Sequence, residues 1–189
     1  GLLGLLGACL GIRRDDKAKL QSLADSVRFA VRCDRVMLDN YPVKTIKLTD
    51  FHTVKDARED YVGLKSLETI LTWREYLCDA SFTVAVWGVP QTSIELKTII
   101  DAVQRPYFTP YLGRRCCPLT SPLFLASFQA NNPLEALEQN DDIKGVIYSE
   151  EALNQDNQIF NVRDEPIISL PRQFASRNWY VIRGEQECI

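Results

Sequence analysis

The sequence predicts an α+β protein, because helix-like and strand-like patterns follow one another along a chain of ordinary globular composition. Apolar residues make up 46% and charged residues 25% of the 189 residues, which excludes disordered, collagen-like and membrane classes. A chain of this length can bury one hydrophobic core and carry a smaller appendage. Two segments, 27–33 and 81–89, alternate apolar and polar residues as half-buried strands do.

Helical patterns flank these strands. The first, GLLGLLGACLGI at 1–12, has a glycine at every third position from 1 to 7 and another at 11, so one side of the helix would be nearly bare and could lie close to a sheet or a ligand. A second helix is expected over 15–26. A third, amphipathic, is expected over 92–103 and should end before Pro106.

Shorter strand-like segments fill the rest of the chain. A hairpin is expected between 36–38 and 43–48, around Asp39 and Asn40. Prolines punctuate the second half, and a smaller β-rich unit packed on the first half is expected from about residue 107 onward. Its strand-like segments are 124–129, 144–149, 159–162 and 179–183.

The segment 49–77 interrupts this pattern, because it is long, mixed in charge and without a clear period. A stretch of this kind between strands is usually a functional excursion. It interleaves cations with rings, which suits phosphates together with unstacked bases. A charged surface loop with Trp73 and Tyr76 turned into the core fits the same residues equally well. The cations and rings are His52, Lys55, Arg58, Tyr61, Lys65, Trp73, Arg74 and Tyr76.

A second binding signal is YFTPYLGRR at 107–115, where two adjacent arginines follow a glycine and two tyrosines. Guanidinium groups pair with phosphates in a forked geometry. An ion-paired loop between domains is an equal alternative. Arg172 and Arg177 could likewise face a phosphate or a neighbouring subunit, although turns that pack on the core are slightly favoured there.

Catalytic chemistry has little support in the sequence. There is one histidine, His52, and the GxSxG, P-loop, GxGxxG and HExxH patterns are absent. The six cysteines form no CxxC pair and no zinc-like spacing, and they are expected to be free thiols in a reducing cytosol. Carboxylates are plentiful, but their spacing does not indicate a magnesium site. We therefore expect no metal and no cofactor.

Charge and hydropathy limit the possible partners. The formal net charge is -3, so a nucleic acid would have to be bound by a local basic face. The apolar stretch 1–12 is too short to span a bilayer and lacks the basic leader of a signal peptide. We therefore expect no membrane segment and a cytoplasmic location.

Six blocks of the sequence are long and irregular enough to indicate a family. They are GLLGLLGACLGI (1–12), FAVRCD (29–34), AREDYVGLKSLETILTWREYLCDASFTVAVW (57–87), TPYLGRRCCPLTSPLFL (109–125), YSEE (148–151) and RDEPIISLPRQFASRNWYVI (163–182). Together they closely resemble the CasD subunits of type I-E CRISPR Cascade complexes, within the RAMP superfamily. The resemblance extends over nearly the whole chain.

The resemblance implies a ferredoxin-like (RRM/RAMP) domain with a long thumb and a small β-rich C-terminal region. The expected domains are 1–106, which includes the thumb at about 44–77, and 107–189. Family members carry further residues before GLLGLLG, including the first strand of the sheet, which this chain lacks. Because a missing central strand exposes unpaired backbone groups, we expect the chain to be marginally stable alone or to have the gap filled by a partner.

The resemblance also implies a function in antiviral defence. Such a subunit caps one end of the surveillance complex, holds the 5′ handle of the CRISPR RNA without cleaving it, and touches the backbone subunit and the large subunit. Target DNA is reached only indirectly, through the complex. The alternative is a metal-independent endoribonuclease that processes precursor RNA, as type I-C relatives do. It would need His52, Tyr61 or Lys65, and no convincing counterpart of a cleaving Tyr-Lys-His set is found.

Matching motif positions gives the candidate RNA-binding residues. Trp73 and Arg74 of TWREY are the principal candidates for handle contact. Glycines near the start of the first helix could let the RNA backbone approach and offer free N–H groups to a phosphate. The remaining candidates are Tyr111, Arg114 and Arg115 of PYLGRR, the thumb residues Lys65, Arg58, Tyr61 and His52, and the helix glycines Gly1 and Gly4.

Overall fold

The chain contains both helices and strands, as the sequence predicts, and the α+β class is confirmed. The structure, a computed structural model, describes residues 1–39, 41–55, 69–139, 145–169 and 173–183. Its elements are α1 (Leu2–Cys9), α2 (Lys17–Ser26), β1 (Val27–Asp34), β2 (Met37–Leu38), β3 (Tyr41–Pro42), β4 (Ile46–Lys55), β5 (Thr69–Cys78), β6 (Ser81–Gly88), α3 (Leu96–Gln104), α4 (Pro133–Glu138), β7 (Gly145–Ser149), β8 (Gln158–Pro166) and β9 (Phe174–Arg183). Among the described helices, none is long and apolar enough to cross a membrane.

A five-stranded antiparallel sheet forms the centre of the fold, with strand order β6-β1-β7-β9-β8. β1 pairs with β6 along its whole length, from Val27 opposite Gly88 to Asp34 opposite Ser81. The strands that follow residue 107 therefore extend the sheet that the first half begins. The division of the chain at residue 106 stays a prediction.

The core lies on both faces of this sheet. Because side chains alternate along a strand, β1 contributes Val27 and Phe29 to one face and Ala30 to the other. The first face is covered by α1, α2 and α3, and its other buried residues are Leu6, Leu23 and Ile99. The second is covered by α4, and its other buried residues are Leu137 and Ile147.

The glycines of α1 have two different surroundings. Gly7 faces α2, where a Cβ atom would lie 3.6 Å from Leu20 and 3.8 Å from Leu23, so the bare side lets the two helices pack closely. Gly1 and Gly4 face open space, with no atom within 4 Å of a Cβ built there. The predicted close approach therefore occurs at Gly7, against a helix.

A buried ion pair lies where β1 meets β6 and α4. Arg32 is only 2% exposed, and its Nε donates to Asp34 Oδ1 at 2.6 Å. Its Nη1 donates to the carbonyl of Leu137 and its Nη2 to Thr83 Oγ1 at 3.1 Å. Asp34 Oδ2 also accepts from the hydroxyls of Thr83 at 2.8 Å and Ser81 at 3.1 Å. These bonds satisfy a charge that would otherwise be costly to bury.

A second charge cluster centres on Arg177 of β9. Its Nη1 binds Glu150, and its Nε and Nη2 bind the two carboxylate oxygens of Asp164 at 2.6 and 2.9 Å. Its guanidinium carbon lies 4.6 Å from the centre of the Trp179 ring. Two carboxylates neutralise Arg177, so it is not available to a phosphate, and its role is structural, in a strand rather than the predicted turn. Arg172 lies outside the described residues.

The structure also corrects two of the predicted strands. The hairpin around Asp39 and Asn40 is shorter than expected, because only β2 and β3 pair there, and Ile46–Leu48 begin β4 instead. The strand expected at 124–129 is irregular chain, and α4 follows it. The sequence signal for α4 is Asn132, whose side chain caps the helix, followed by proline at the first helical position.

Removing the carboxylate of the buried pair should strongly destabilise the chain. Asp34→Ala leaves the charge of Arg32 buried without its partner, so we expect a loss of about 3 to 5 kcal/mol in the free energy of unfolding. Denaturant unfolding measures it. Glu75→Ala, which breaks the exposed Lys47–Glu75 ion pair, is the control and should cost less than about 1 kcal/mol. Equal losses in the two variants would contradict the assignment.

The Arg177 cluster should make stability depend on pH. Burial opposes ionisation of Asp164, but hydrogen bonds from Arg177 and its charge outweigh burial and hold the pKa of that carboxyl below its usual range. Its stabilising effect is therefore present above the unfolded-state pKa and is lost as pH falls through the lower folded-state pKa.

Asp164→Asn should accordingly lower the thermal unfolding midpoint at pH 7. The difference in unfolding midpoint between Asp164→Asn and the unchanged chain should shrink as pH falls below about 4, near the ordinary pKa of an aspartate. Asp156→Asn, at an exposed site, is the matched control and should show no such gap. A gap for Asp164→Asn that is constant with pH would contradict the prediction.

Candidate functional site

β4 and β5 form a long hairpin of their own. Their register runs over ten residue pairs, from Ile46 opposite Cys78 to Lys55 opposite Thr69, and the two strands pack mainly on each other. Only Asp79 and Ala80 join β5 to β6, and Asp79 turns the chain with a φ of 57°. The hairpin lies in the part of the sequence where the resemblance implies a thumb.

The two faces of this hairpin carry different chemistry, because side chains alternate along each strand. Trp73 and Arg74 are neighbours in β5 and therefore lie on opposite faces. The Arg74 face consists of Ile46, Leu48, Asp50, His52 and Val54 of β4 and Ile70, Thr72, Arg74, Tyr76 and Cys78 of β5. The Trp73 face consists of Lys47, Thr49, Phe51, Thr53 and Lys55 of β4 and Thr69, Leu71, Trp73, Glu75 and Leu77 of β5.

The Trp73 face is open and aromatic. The Trp73 side chain is 67% exposed, and its ring centre lies 5.4 Å from that of Phe51, with the planes tilted by 54°. Lys47 and Glu75 neutralise each other at 3.1 Å. This face therefore offers an exposed ring, supported from one side, that could stack on a base.

On the Arg74 face, an arginine is held by a hydroxyl. Arg74 Nε donates to Thr72 Oγ1 at 3.2 Å, and that hydroxyl donates to the carbonyl of His52, directly across the hairpin, at 3.3 Å. The Nδ1 atom of His52 is buried, with no hydrogen-bond partner within the described residues. The hydroxyl fixes Arg74 Nε without cancelling the charge of the guanidinium.

The predicted loop at 107–115 forms a tight turn that carries its two arginines. Tyr111 pairs with Pro118 in an isolated bridge, and Leu112 N donates to Cys117 O at 2.9 Å. Gly113 has a φ of 79°, which favours glycine, and no atom lies near the Cβ position. Arg115 is exposed on this turn.

The turn contacts the hairpin through Arg114. Arg114 Nη1 donates to the Tyr76 hydroxyl, and the guanidinium carbon lies 5.5 Å from the centre of the Tyr76 ring. Partial burial, followed by the nearby Cys116 and Asp50, raises the pKa of Tyr76. The phenol therefore stays neutral near pH 7, and the Arg114 charge remains uncompensated by this contact.

The structure brings together part of the predicted site. It places Arg74 and His52 on one face and connects that face to Arg114 through Tyr76, while Trp73 lies on the other. Gly1 is the N-cap of α1 and Gly4 lies within it, and this helix packs on α2 and α3. Three candidates, Arg58, Tyr61 and Lys65, lie outside the described residues.

Sequence reasoning missed Thr72 as a site residue and grouped Tyr76 with the rings without selecting it. The signal was available: Thr72, Arg74 and Tyr76 recur at every second position, which places them on one face of a strand. The hydroxyls of Thr72 and Tyr76 hold the guanidinium groups of Arg74 and Arg114. The remaining N–H groups of these arginines suit phosphate oxygens. Within the described residues, no group of three or more histidine, cysteine or acidic side chains could hold a metal ion.

Comparison with known proteins identifies the family. The model for the family described as CRISPR-associated protein (Cas_Cas5) matches residues 1–181. The CRISPR system Cascade subunit CasD of Escherichia coli (strain K12) is 60% identical over 184 residues, which cover 97% of this chain and 82% of that protein.

Two solved structures support this identification. One, described as a CRISPR RNA-guided surveillance complex, matches with a TM-score of 0.62 and 30% identity over 96% of this chain and 76% of the other. A second, described as the crystal structure of a Cas protein, matches with a TM-score of 0.56 and 25% identity over 96% of this chain and 78% of the other. The chain therefore belongs to the Cas5 family of CRISPR-associated proteins.

Proposed function

We propose that this chain is a non-catalytic subunit of a type I-E Cascade surveillance complex and that it holds the 5′ handle of the CRISPR RNA. The proposal is supported by the 60% identity to a protein named as a Cascade subunit and by the likeness to a chain of an RNA-guided surveillance complex. Neither relative's description supports the alternative of an endoribonuclease.

One structural observation carries the RNA-holding part of the proposal. Arg74 and Arg114 are both held by neutral hydroxyls, and among the described residues neither forms an ion pair with a carboxylate, although Asp50 lies opposite Arg74 across the hairpin. An anion-binding site needs this arrangement, because a guanidinium already paired with a carboxylate gains little from a phosphate. Such a local pair of charges also fits a chain whose net charge is -3.

We propose that the handle lies along the Arg74 face and the adjoining turn, with Arg74, Arg114 and Arg115 on phosphates and Tyr111 nearby. Trp73 can join the same site if the RNA crosses the edge of the hairpin. The two paired β-strands are only about 5 Å apart, so a flexible single strand of RNA can pass from one face of the hairpin to the other. Lys65, Arg58, Tyr61, His52, Gly1 and Gly4 complete the proposed set.

The proposed assembly follows from the same role. The chain would cap one end of a complex in the cytoplasm, contact the backbone subunit and the large subunit, and meet target DNA only through the complex. Its thumb would be the hairpin of β4 and β5 together with the residues between them. Binding of RNA at this site would require neither a metal ion nor a cofactor.

Removing either arginine should weaken RNA binding without affecting the fold. We expect Arg74→Ala and Arg114→Ala each to lower affinity for RNA carrying the 5′ handle by about tenfold, since each removes a charge-assisted hydrogen bond. Each should also reduce the slope of log affinity against log salt by about 0.7, the value for one phosphate of a single strand. Titration of fluorescent RNA at several salt concentrations measures both.

Lys97→Ala is the matched control, because it removes an exposed cation of α3, outside the site. It should leave affinity and slope unchanged. Affinities that do not change in either arginine variant would contradict the proposed RNA contact. Crosslinking from Trp73 and Tyr111 to the handle in the assembled complex tests their placement independently.

The chain should not cleave precursor RNA. Labelled precursor incubated with the purified chain and EDTA is expected to stay intact, and precursor processed in the assembled complex is expected to be the same for Arg74→Ala. The readout is the length of the RNA on a denaturing gel. Sequence-specific cutting that His52→Ala abolishes would establish the endoribonuclease alternative and overturn the non-catalytic assignment.

A further inference from the structure

The arginines of the proposed site differ from the two arginines that form ion pairs in the central sheet. Arg32 and Arg177 are each bonded to carboxylates, which cancel their charge. Arg74 and Arg114 are bonded to the hydroxyls of Thr72 and Tyr76 instead. The first arrangement stabilises a fold, and the second keeps a cation ready for an anion from outside.

The Thr72 hydroxyl has a defined direction. It donates its own hydrogen to the carbonyl of His52, and this leaves a lone pair of the same oxygen for Arg74 Nε. The two Nη atoms of Arg74 form no hydrogen bond within the described residues. They are therefore the donors that a phosphate could take in the forked geometry.

Tyr76 does the same for the second arginine, but across a gap in sequence. Its ring and hydroxyl belong to β5, while Arg114 belongs to the turn 38 positions later. The hydroxyl accepts from Nη1, and the ring lies beside the guanidinium at 5.5 Å. Nε and Nη2 of Arg114 form no hydrogen bond with the residues that the structure describes, so they remain for an incoming anion. The contact therefore fixes the distance between the turn and the hairpin.

We propose that Thr72 and Tyr76 are positioning residues, which hold Arg74 and Arg114 on one face of β5 at a fixed spacing for the phosphates of a single RNA strand. This inference rests on the proposed RNA-holding function and adds to it the two residues that set the geometry of the site. Neither residue needs to touch RNA. Their contribution is to keep two flexible cationic side chains oriented before the RNA arrives, which lowers the entropic cost of binding.

Variants that remove only the hydroxyls test this proposal. Thr72→Val and Tyr76→Phe keep the shape of each side chain, and Thr53→Val removes an exposed hydroxyl from the Trp73 face of the same hairpin as the control. With the full chain and fluorescent RNA carrying the 5′ handle, we expect Thr72→Val and Tyr76→Phe each to weaken binding about three- to fivefold. We expect no change for Thr53→Val.

Double-mutant cycles separate positioning from an independent contribution. In an Arg114→Ala background, Tyr76→Phe should cause no further loss of affinity, because there is no guanidinium left to position. In an Arg74→Ala background the same should hold for Thr72→Val. Full additivity in both cycles, or no loss in either hydroxyl variant, would overturn the inference.

A conservative variant guards against an indirect effect on the fold. Thr72→Ser keeps the hydroxyl and loses only a methyl group, so it should bind RNA as the unchanged chain does. Binding as weak as that of Thr72→Val would assign the effect to packing and would also overturn the inference. If Arg74→Ala and Arg114→Ala themselves leave RNA binding intact, the proposed function fails; if they weaken binding and the hydroxyl variants do not, only the positioning role fails.

Discussion

The buried pair of Arg32 and Asp34 is the interaction on which the rest of the arrangement depends. Arg32 connects β1 to β6 and to the end of α4, so one side chain fixes three elements. Asp34 accepts from Ser81 and Thr83 at the start of β6, which sets where that strand begins. Only two residues separate the end of the hairpin from the start of β6, so the same polar cluster lies next to its attachment to the sheet. A polar network in this position is costly to bury, but when all its members are satisfied it specifies one geometry.

Four arginines of the fold fall into two groups according to the partner of each. The carboxylate partners of Arg32 and Arg177 lie in the central sheet or next to it, and the hydroxyl partners of Arg74 and Arg114 lie on one face of a hairpin that packs on little else. This distinction is chemical rather than positional, since all four of these arginines are at least partly buried. The proposed site relies on such local cations, because the chain as a whole has more acidic than basic residues.

The sequence predicts the elements of the core well and the hairpin poorly, for one physical reason. β1 and β6 have contacts with the core, whereas the hairpin has partly exposed faces and carries apolar residues on both, such as Leu48 and Leu71. The strands of the hairpin therefore lack a clear alternation of apolar and polar residues in the sequence. The helix α4 was missed because its six residues are too few for a helical period to be visible.

The site was predictable only in part. The segments that contain Arg74 and Arg114 were selected from their composition and from the family resemblance. The contact between Tyr76 and Arg114 joins residues far apart in the chain, so one sequence alone cannot indicate it. Grouping Trp73 with Arg74 was natural for neighbours in sequence, but the alternation of a strand separates them. Residues 56–68 hold three further candidates whose role stays a prediction.

Asp79 and Ala80 form the joint between the hairpin and β6, so a small rotation at this joint would move the far end of the hairpin by a larger distance. Two ten-residue strands reach about 33 Å from that joint. A rotation of about 10° at the base would therefore move the far end by about 6 Å. A small change where β6 begins, at the edge of the central sheet, would in this way be magnified into a shift of several ångströms at the far end of β4 and β5.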